Sequence, residues 1–175
     1  ITQTDKHNLT SQISFFISGS AGEKVQSAAA MLCEAAVRCG LFTSQKNDNP
    51  VTQGSGFSLS EVIISPEEIF FTGAENPSVV ILVSHEGLKE AIAQKVFERI
   101  SEDSLIIADE TLELPETNSK VIKLSLRKSC GPFKAALGAI DYYISNFNPF
   151  PGKVLHKIIE KKFGNYESFY REKFF

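Results

Sequence analysis

Cysteine is scarce in this sequence: there are three, Cys33, Cys39 and Cys130, and no two stand in CxxC spacing. An odd count without paired spacing fits reduced thiols in a cytoplasmic protein and tells against a disulfide framework or a thiolate cluster. Long apolar runs are missing as well. None approaches the roughly 20 residues that cross a bilayer, so no membrane span is expected. Residues 1–12 are mostly polar and lack the charged-then-apolar order of a secretory signal. The chain opens on Ile1 rather than Met, so a few residues are expected to be missing ahead of it or removed. There is no excess of positive charge either. Lys and Arg number 18 against 21 Asp and Glu, a net charge of −3, and the basic face of a nucleic-acid module is therefore not expected. HExxH, P-loop, GxSxG and paired-cysteine metal motifs are all absent.

What is present is an ordinary globular composition, 42% hydrophobic and 22% charged over 175 residues. A chain of this length buries roughly 70% of its unfolded surface and requires no disulfide or metal staple. A single domain over 1–175 is expected, with a polar arm at 1–11 and a helical tail at 149–175.

Segment 11–18 carries Ile13, Phe15, Phe16 and Ile17 and reads as a buried strand. It runs into Gly19, Ser20, Ala21 and Gly22. A helix follows, with Val25, Ala28, Ala29, Leu32, Ala36 and Cys39 at helical spacing and Gly40 as a left-handed stop. Strand, small-residue turn and helix open a βαβ unit. Residues 41–44 suit a short second strand, and 45–55 a long polar loop. Residues 58–65 form the next strand, with 69–72 as a hairpin arm. The continuous apolar run 79–83 suits a central strand covered on both faces. Leu88, Ala91, Ile92, Val96 and Ile100 mark one amphipathic helix, and 105–108 and 121–124 two further buried strands. Two helical stripes follow, Phe133 to Phe147 and Val154 to Phe163, separated by Pro149 and Pro151, and an aromatic tail ends the chain. The fold class is α/β: a Rossmann-like open, mostly parallel sheet with helices on both faces and a helical C-terminal extension.

Ligands of open α/β sheets bind at the carboxyl ends of the strands. That rule selects Gly19, Ser20, Ala21, Gly22, Glu23 and Lys24, then Gly54, Ser55 and Gly56, then His85, and finally Asp109. The first turn leads into a helix N-terminus, where exposed amides favour an anion, and Lys24 adds positive charge. Against this, Glu23 repels a phosphate, and the third glycine and the acidic residue of a dinucleotide fingerprint are lacking. A tight turn without ligand and a phosphate-bearing ligand both stay open. His85 is the one histidine placed at a strand end, although such histidines are more often structural or solvated than catalytic; His7 lies in the polar arm and His156 on an expected surface face. Asp109 suits a ligand hydroxyl or a helix cap. The tail aromatics Phe163, Tyr166, Phe169, Tyr170, Phe174 and Phe175 either pack on the chain's own sheet or dock a partner.

The order of these motifs resembles the γ subunit, or γ domain, of pyruvate and related 2-oxoacid:ferredoxin oxidoreductases. Residues 19–40, GSAGEKVQSAAAMLCEAAVRCG, match that family's GxGGQG turn and alanine-rich helix, and 53–65, QGSGFSLSEVIIS, its RGG loop and serine-rich strand. SVVILVS at 78–84, PFKAALGAIDYY at 132–143 and VLHKIIEKKF at 154–163 match later elements. The chain departs from the family at Ala21, Glu23 and Lys24 and at Gly54 and Ser55. The resemblance implies partnership with α, β and ferredoxin-like δ subunits in the cytoplasm. The whole enzyme decarboxylates a 2-oxo acid, passes electrons to ferredoxin and forms an acyl-coenzyme A. Thiamine diphosphate, Mg²⁺ and iron–sulfur clusters are expected in the partner subunits, because a GDG…N motif is missing here and three cysteines fall short of a four-thiolate cluster. Coenzyme A is expected near the cleft. No catalytic residue, metal, nucleic acid or membrane is assigned to the chain itself. Two alternatives remain: a stand-alone nucleotide-binding or regulatory module, and an assembly protein with an empty cleft.

Overall fold

The computed structural model describes residues 1–50, 56–70 and 76–172. Six strands form one sheet in the order β2-β3-β1-β4-β5-β6. They are β1 (Ile13–Ser20), β2 (Phe42–Asp48), β3 (Phe57–Ser65), β4 (Val79–Leu82), β5 (Leu105–Asp109) and β6 (Lys120–Leu124). β3 pairs antiparallel with both β1 and β2, while β1, β4, β5 and β6 pair in parallel. Only β3 runs against the others, so the sheet is mixed and, as expected, mostly parallel.

The central strands are apolar on both sides because helices cover both sides. Phe15, Ile17, Val79, Ile81 and Ile107 face one core, shared with α1 (Val25–Arg38), α5 (Ala135–Phe147) and α6 (Gly152–Phe163). Phe16, Val80, Leu82, Ile106 and Ala108 face a smaller core with Leu88 and Ala91 of α2 (His85–Ala93) and Val96 of α3 (Val96–Arg99). In α1, Ala28, Ala29, Ala35 and Ala36 are buried, small side chains that let the helix axis lie close to the sheet. The helix stops in a Schellman motif: Gly40 (φ 83°) donates to Val37 and Leu41 donates to Ala36, the left-handed stop expected from Gly40.

Several boundaries differ from the sequence reading. β2 continues through Gln45, Lys46, Asn47 and Asp48, residues read as loop, because an edge strand paired to β3 needs backbone partners rather than apolar side chains. β6 is the opposite edge and is half-exposed, not buried. The expected single helix over Leu88 to Ile100 breaks at Lys95 (φ 59°) into α2 and α3; Leu88, Ala91 and Val96 still share a face, which is why the break left no trace in the periodicity. Ile69 and Phe70 belong to no strand. Phe71 and Thr72, like Gly54, Ser55, Phe174 and Phe175, lie outside the described residues. Phe133 precedes α5 and is 65% exposed, so the stripe begins at Ala135.

The tail packs back on its own chain: Phe169 and Tyr170 are buried beside α5 and α6. Its anchor is Asp141, fully buried in α5, whose Oδ2 accepts hydrogen bonds from the hydroxyls of both Tyr166 and Tyr170. His156 was expected on a surface face. Instead its ring stacks on Tyr166 at 4.0 Å and its Nε2 lies 3.0 Å from Asp141 Oδ1, at ion-pair distance but off hydrogen-bond alignment. Desolvation pushes both tyrosine hydroxyls to higher pKa, and the Asp141 carboxylate pushes the same way.

Candidate functional site

β1 leads through α1 to β2 and β3 on one side, whereas β4 lies on its other side. The crevice between the carboxyl ends of β1 and β4 is therefore the topological switch point, the usual ligand position in open α/β sheets. Ser20 ends β1 and Ser84 follows β4; the Ser20 hydroxyl donates to Ser84 Oγ at 2.8 Å. Ser84 Oγ in turn caps α2 by accepting the Gly87 amide at 3.0 Å. Gly87 sits against the β1 backbone: a Cβ there would lie 2.5 Å from the Ser18 carbonyl oxygen and 2.6 Å from its carbon. No larger residue fits without moving α2 off the sheet. His85 is the exposed first residue of α2 and Glu86 is exposed beside it.

Within the Gly19–Lys24 turn the amides of Ser20, Ala21 and Glu23 are occupied by the chain itself. Glu23, only 6% exposed, folds back so that Oε1 accepts the Ser20 amide at 2.9 Å. The Ala21 amide donates to the Gly56 carbonyl at 2.9 Å, and the Glu23 amide to the Ser20 carbonyl at 3.1 Å. The cradle holds the chain's own carboxylate, whose Oε2 lies 2.7 Å from Nη1 of Arg127. Arg127 belongs to α4 (Leu126–Cys130), a short helix that no sequence pattern announced. The same Nη1 donates to the Val83 carbonyl at 3.0 Å. Its amide donates to Asp109 Oδ1 at 2.9 Å, while Asp109 Oδ2 accepts from the amide and hydroxyl of Thr111.

Ser20, Ala21, Glu23, Gly56 and Asp109 are thus tied together at one end of the sheet, directly or through Arg127, with Gly19 and Gly22 in the same turn, and the ends of β1, β4 and β5 are bound into one polar network. Lys24 stands apart from it. It is exposed, holds a left-handed backbone (φ 63°) at the start of α1, and contributes no side-chain cap. Arg127 is the residue that sequence reasoning missed. Its contact with Glu23 spans most of the chain, and no local spacing encodes it.

Cys33 and Cys39 are pushed up to about 11 and Cys130 to about 12, chiefly by burial, so all three stay protonated near neutral pH. Among the described residues no three His, Cys, Asp or Glu side chains gather at metal distance.

Residues 14–167 match the sequence profile of the pyruvate ferredoxin/flavodoxin oxidoreductase family. The chain belongs to that family. Its fold recurs in three solved relatives. One is a keto/oxoacid ferredoxin oxidoreductase γ subunit from Geobacter sulfurreducens, with a TM-score of 0.70 and 19% identity over 90% of this chain and 94% of that one. Another is the pyruvate oxidoreductase subunit PORC of Thermotoga maritima, with a TM-score of 0.69 and 18% identity over 88% of this chain and 86% of that one. The third is a 2-oxoglutarate:ferredoxin oxidoreductase from Magnetococcus marinus, solved with 2-oxoglutarate, coenzyme A and succinyl-CoA bound, at a TM-score of 0.73 and 17% identity. This chain is 89% covered there but spans only 28% of that longer polypeptide. No curated protein matches the sequence. At these identities the structural likeness establishes the fold, while membership rests on the family profile. No helix among the described residues is long and apolar enough to cross a membrane.

Proposed function

We propose that the chain is the γ-type accessory subunit of a cytoplasmic 2-oxoacid:ferredoxin oxidoreductase. In this reading it assembles with α, β and ferredoxin-like δ subunits and supports oxidative decarboxylation of a 2-oxo acid to an acyl-coenzyme A, with ferredoxin as electron acceptor. The observation that carries the reading is the family match over residues 14–167. It is supported by the end-to-end fold correspondence with a γ subunit, 94% of whose length is covered.

The redox groups belong to the partners in this scheme, and the raised thiols of this chain suit structural burial. Its own residues supply a rigid wall. Glu23, Arg127 and Asp109 lock the ends of the central strands, and the rim that includes Gly22, Gly56 and His85 faces the region completed by other subunits. Coenzyme A passes near that rim. Filling of the first turn by Glu23 favours this accessory role over a stand-alone nucleotide-binding module.

Co-expression with thiamine-binding and ferredoxin-like partner subunits tests the proposal. A stable complex that reduces a viologen dye only with a 2-oxo acid, and loses that activity without this chain, is the expected result. Failure to associate, or full activity without the chain, would overturn it.

A further inference from the structure

A groove of about 360 Å³ lies between the first turns of α1, the start of α5 and the end of α6. Its floor is apolar: Ala28, Met31 and Leu137 line it and are buried. Its charged lining residues are Lys24, Lys134 and Lys162, and no carboxylate is among the lining residues. Among the described residues none of these three lysines has a carboxylate partner. The neighbouring groove between the N-terminal arm, α1 and α6 is different. There two carboxylates sit among the lining cations: Lys153 meets Asp5 at 3.3 Å and Arg38 meets Glu34 at 3.2 Å, while Lys157 and Lys161 form no ion pair among the described residues.

Two of the unneutralised lysines lean on aromatic rings. Lys134 Nζ lies 5.2 Å from the Phe163 ring and 5.3 Å from that of Phe169, and Lys162 Nζ lies 5.7 Å from Phe163. Those contacts position the ammonium groups without cancelling their charge. Residues of the first turn of α1, which has no side-chain cap and no acidic residue, line the same groove, so its backbone adds positive potential. Phe133, largely exposed, is also a lining residue. An exposed aromatic next to an apolar floor is the composition of an interface core, and lysines around it select an anionic occupant.

We propose that this groove receives an acidic, apolar segment of a partner subunit, with its apolar side chains on Met31 and Leu137 beside Phe133 and its carboxylates on Lys24, Lys134 and Lys162. The proposal rests on the accessory-subunit reading and assigns that reading a contact face.

The test uses the complex purified with its partner subunits. Its surface amines are acetylated with an amine-reactive ester, and in a parallel sample carboxylates are joined to amines by a zero-length carbodiimide; both are mapped by mass spectrometry. The expected result is at least ten-fold less acetylation of Lys24, Lys134 and Lys162 in the complex than in the chain alone, together with cross-links from one or more of them to partner carboxylates. The triple variant Lys24→Glu, Lys134→Glu, Lys162→Glu should drop out of the complex while melting like the parent, and the corresponding triple arginine variant should stay in. A complex that forms with these lysines labelled as in the free chain overturns the groove assignment and leaves the subunit reading standing. Protection without cross-links overturns the partner segment in favour of a small anion. If no complex forms at all, both readings fall.

Discussion

Arg127 places Nη1 2.7 Å from Oε2 of Glu23 across the top of the sheet and donates to the Val83 carbonyl at 3.0 Å from the same nitrogen. One guanidinium thereby joins the turn after β1 to the end of β4, and through its amide to Asp109 at the end of β5.

Removing that guanidinium strands a buried carboxylate. Arg127→Ala is expected to destabilise the chain by about 2–3 kcal/mol, below the usual range for breaking a fully buried pair because Arg127 is partly exposed. Glu23→Gln keeps an acceptor for the Ser20 amide and should cost only about 1 kcal/mol. Urea unfolding of the two variants checks the order; a costlier Glu23→Gln would contradict the network.

Gly87→Ala drives a Cβ into the Ser18 backbone. Overpacking against main chain that cannot rotate away should cost about 1–3 kcal/mol, with the loss concentrated in α2. Hydrogen exchange of the α2 amides distinguishes this from a uniform loss, which the close approach does not predict.

Calorimetry of the wild-type chain against inorganic pyrophosphate, NAD and ATP should give no binding heat, since Glu23 already accepts the Ser20 amide and the Ala21 amide serves Gly56. Measurable binding of any of the three that is lost in Lys24→Ala would revive the nucleotide-binding alternative.

Alkaline stability follows from the buried hydroxyls and thiols. Burial holds the Tyr166 and Tyr170 hydroxyls above the ordinary tyrosine pKa of 10.0 in the folded chain. Their contribution is complete below that value and is lost as pH rises toward the folded values, because the unfolded chain gives up its protons first. The thiols act in the same direction from their ordinary value of 9.0, with folded values of about 11 for Cys33 and Cys39 and about 12 for Cys130. Unfolding midpoints should hold level to near pH 9 and then fall. Tyr166→Phe with Tyr170→Phe should flatten the upper part of that limb; an unchanged limb in the double variant would remove the tyrosines from the account.

Detaching the tail should be local before it is global. Asp141→Ala removes the shared acceptor of two tyrosine hydroxyls, a loss of about 1–3 kcal/mol in all. Limited proteolysis should then cut near Asn165 at protease levels that spare the parent. Equal resistance would mean that the ring contacts of Phe169 hold the tail unaided.

The strands and helices with continuous apolar faces were legible in the sequence. Phe15, Phe16 and Ile17 together demanded a strand covered on both sides, and Gly40 marked the end of α1. The edges were not legible, because Gln45 to Asp48 are held by backbone bonds to β3, which side-chain periodicity does not register. At the site, the rule of strand ends picked out Ser20, Glu23 and Asp109, which the fold does bring to one end. It misjudged how Glu23 is used: its charge serves the turn by folding back onto it. Arg127 left no signal because its partner is distant along the chain. Asp141 did leave one, a lone carboxylate among Ala139, Ile140, Tyr143 and Ile144, but its meaning depended on two tyrosines near the end of the sequence.

That dependence joins α5 to a stretch 25 to 29 residues further along the chain. A refolding chain that has built α5 but has not yet brought in Tyr166 and Tyr170 keeps an interior acid without its two hydroxyls. The segment carrying those tyrosines is thus a clasp, and a nick between α6 and Tyr166 would spring it open.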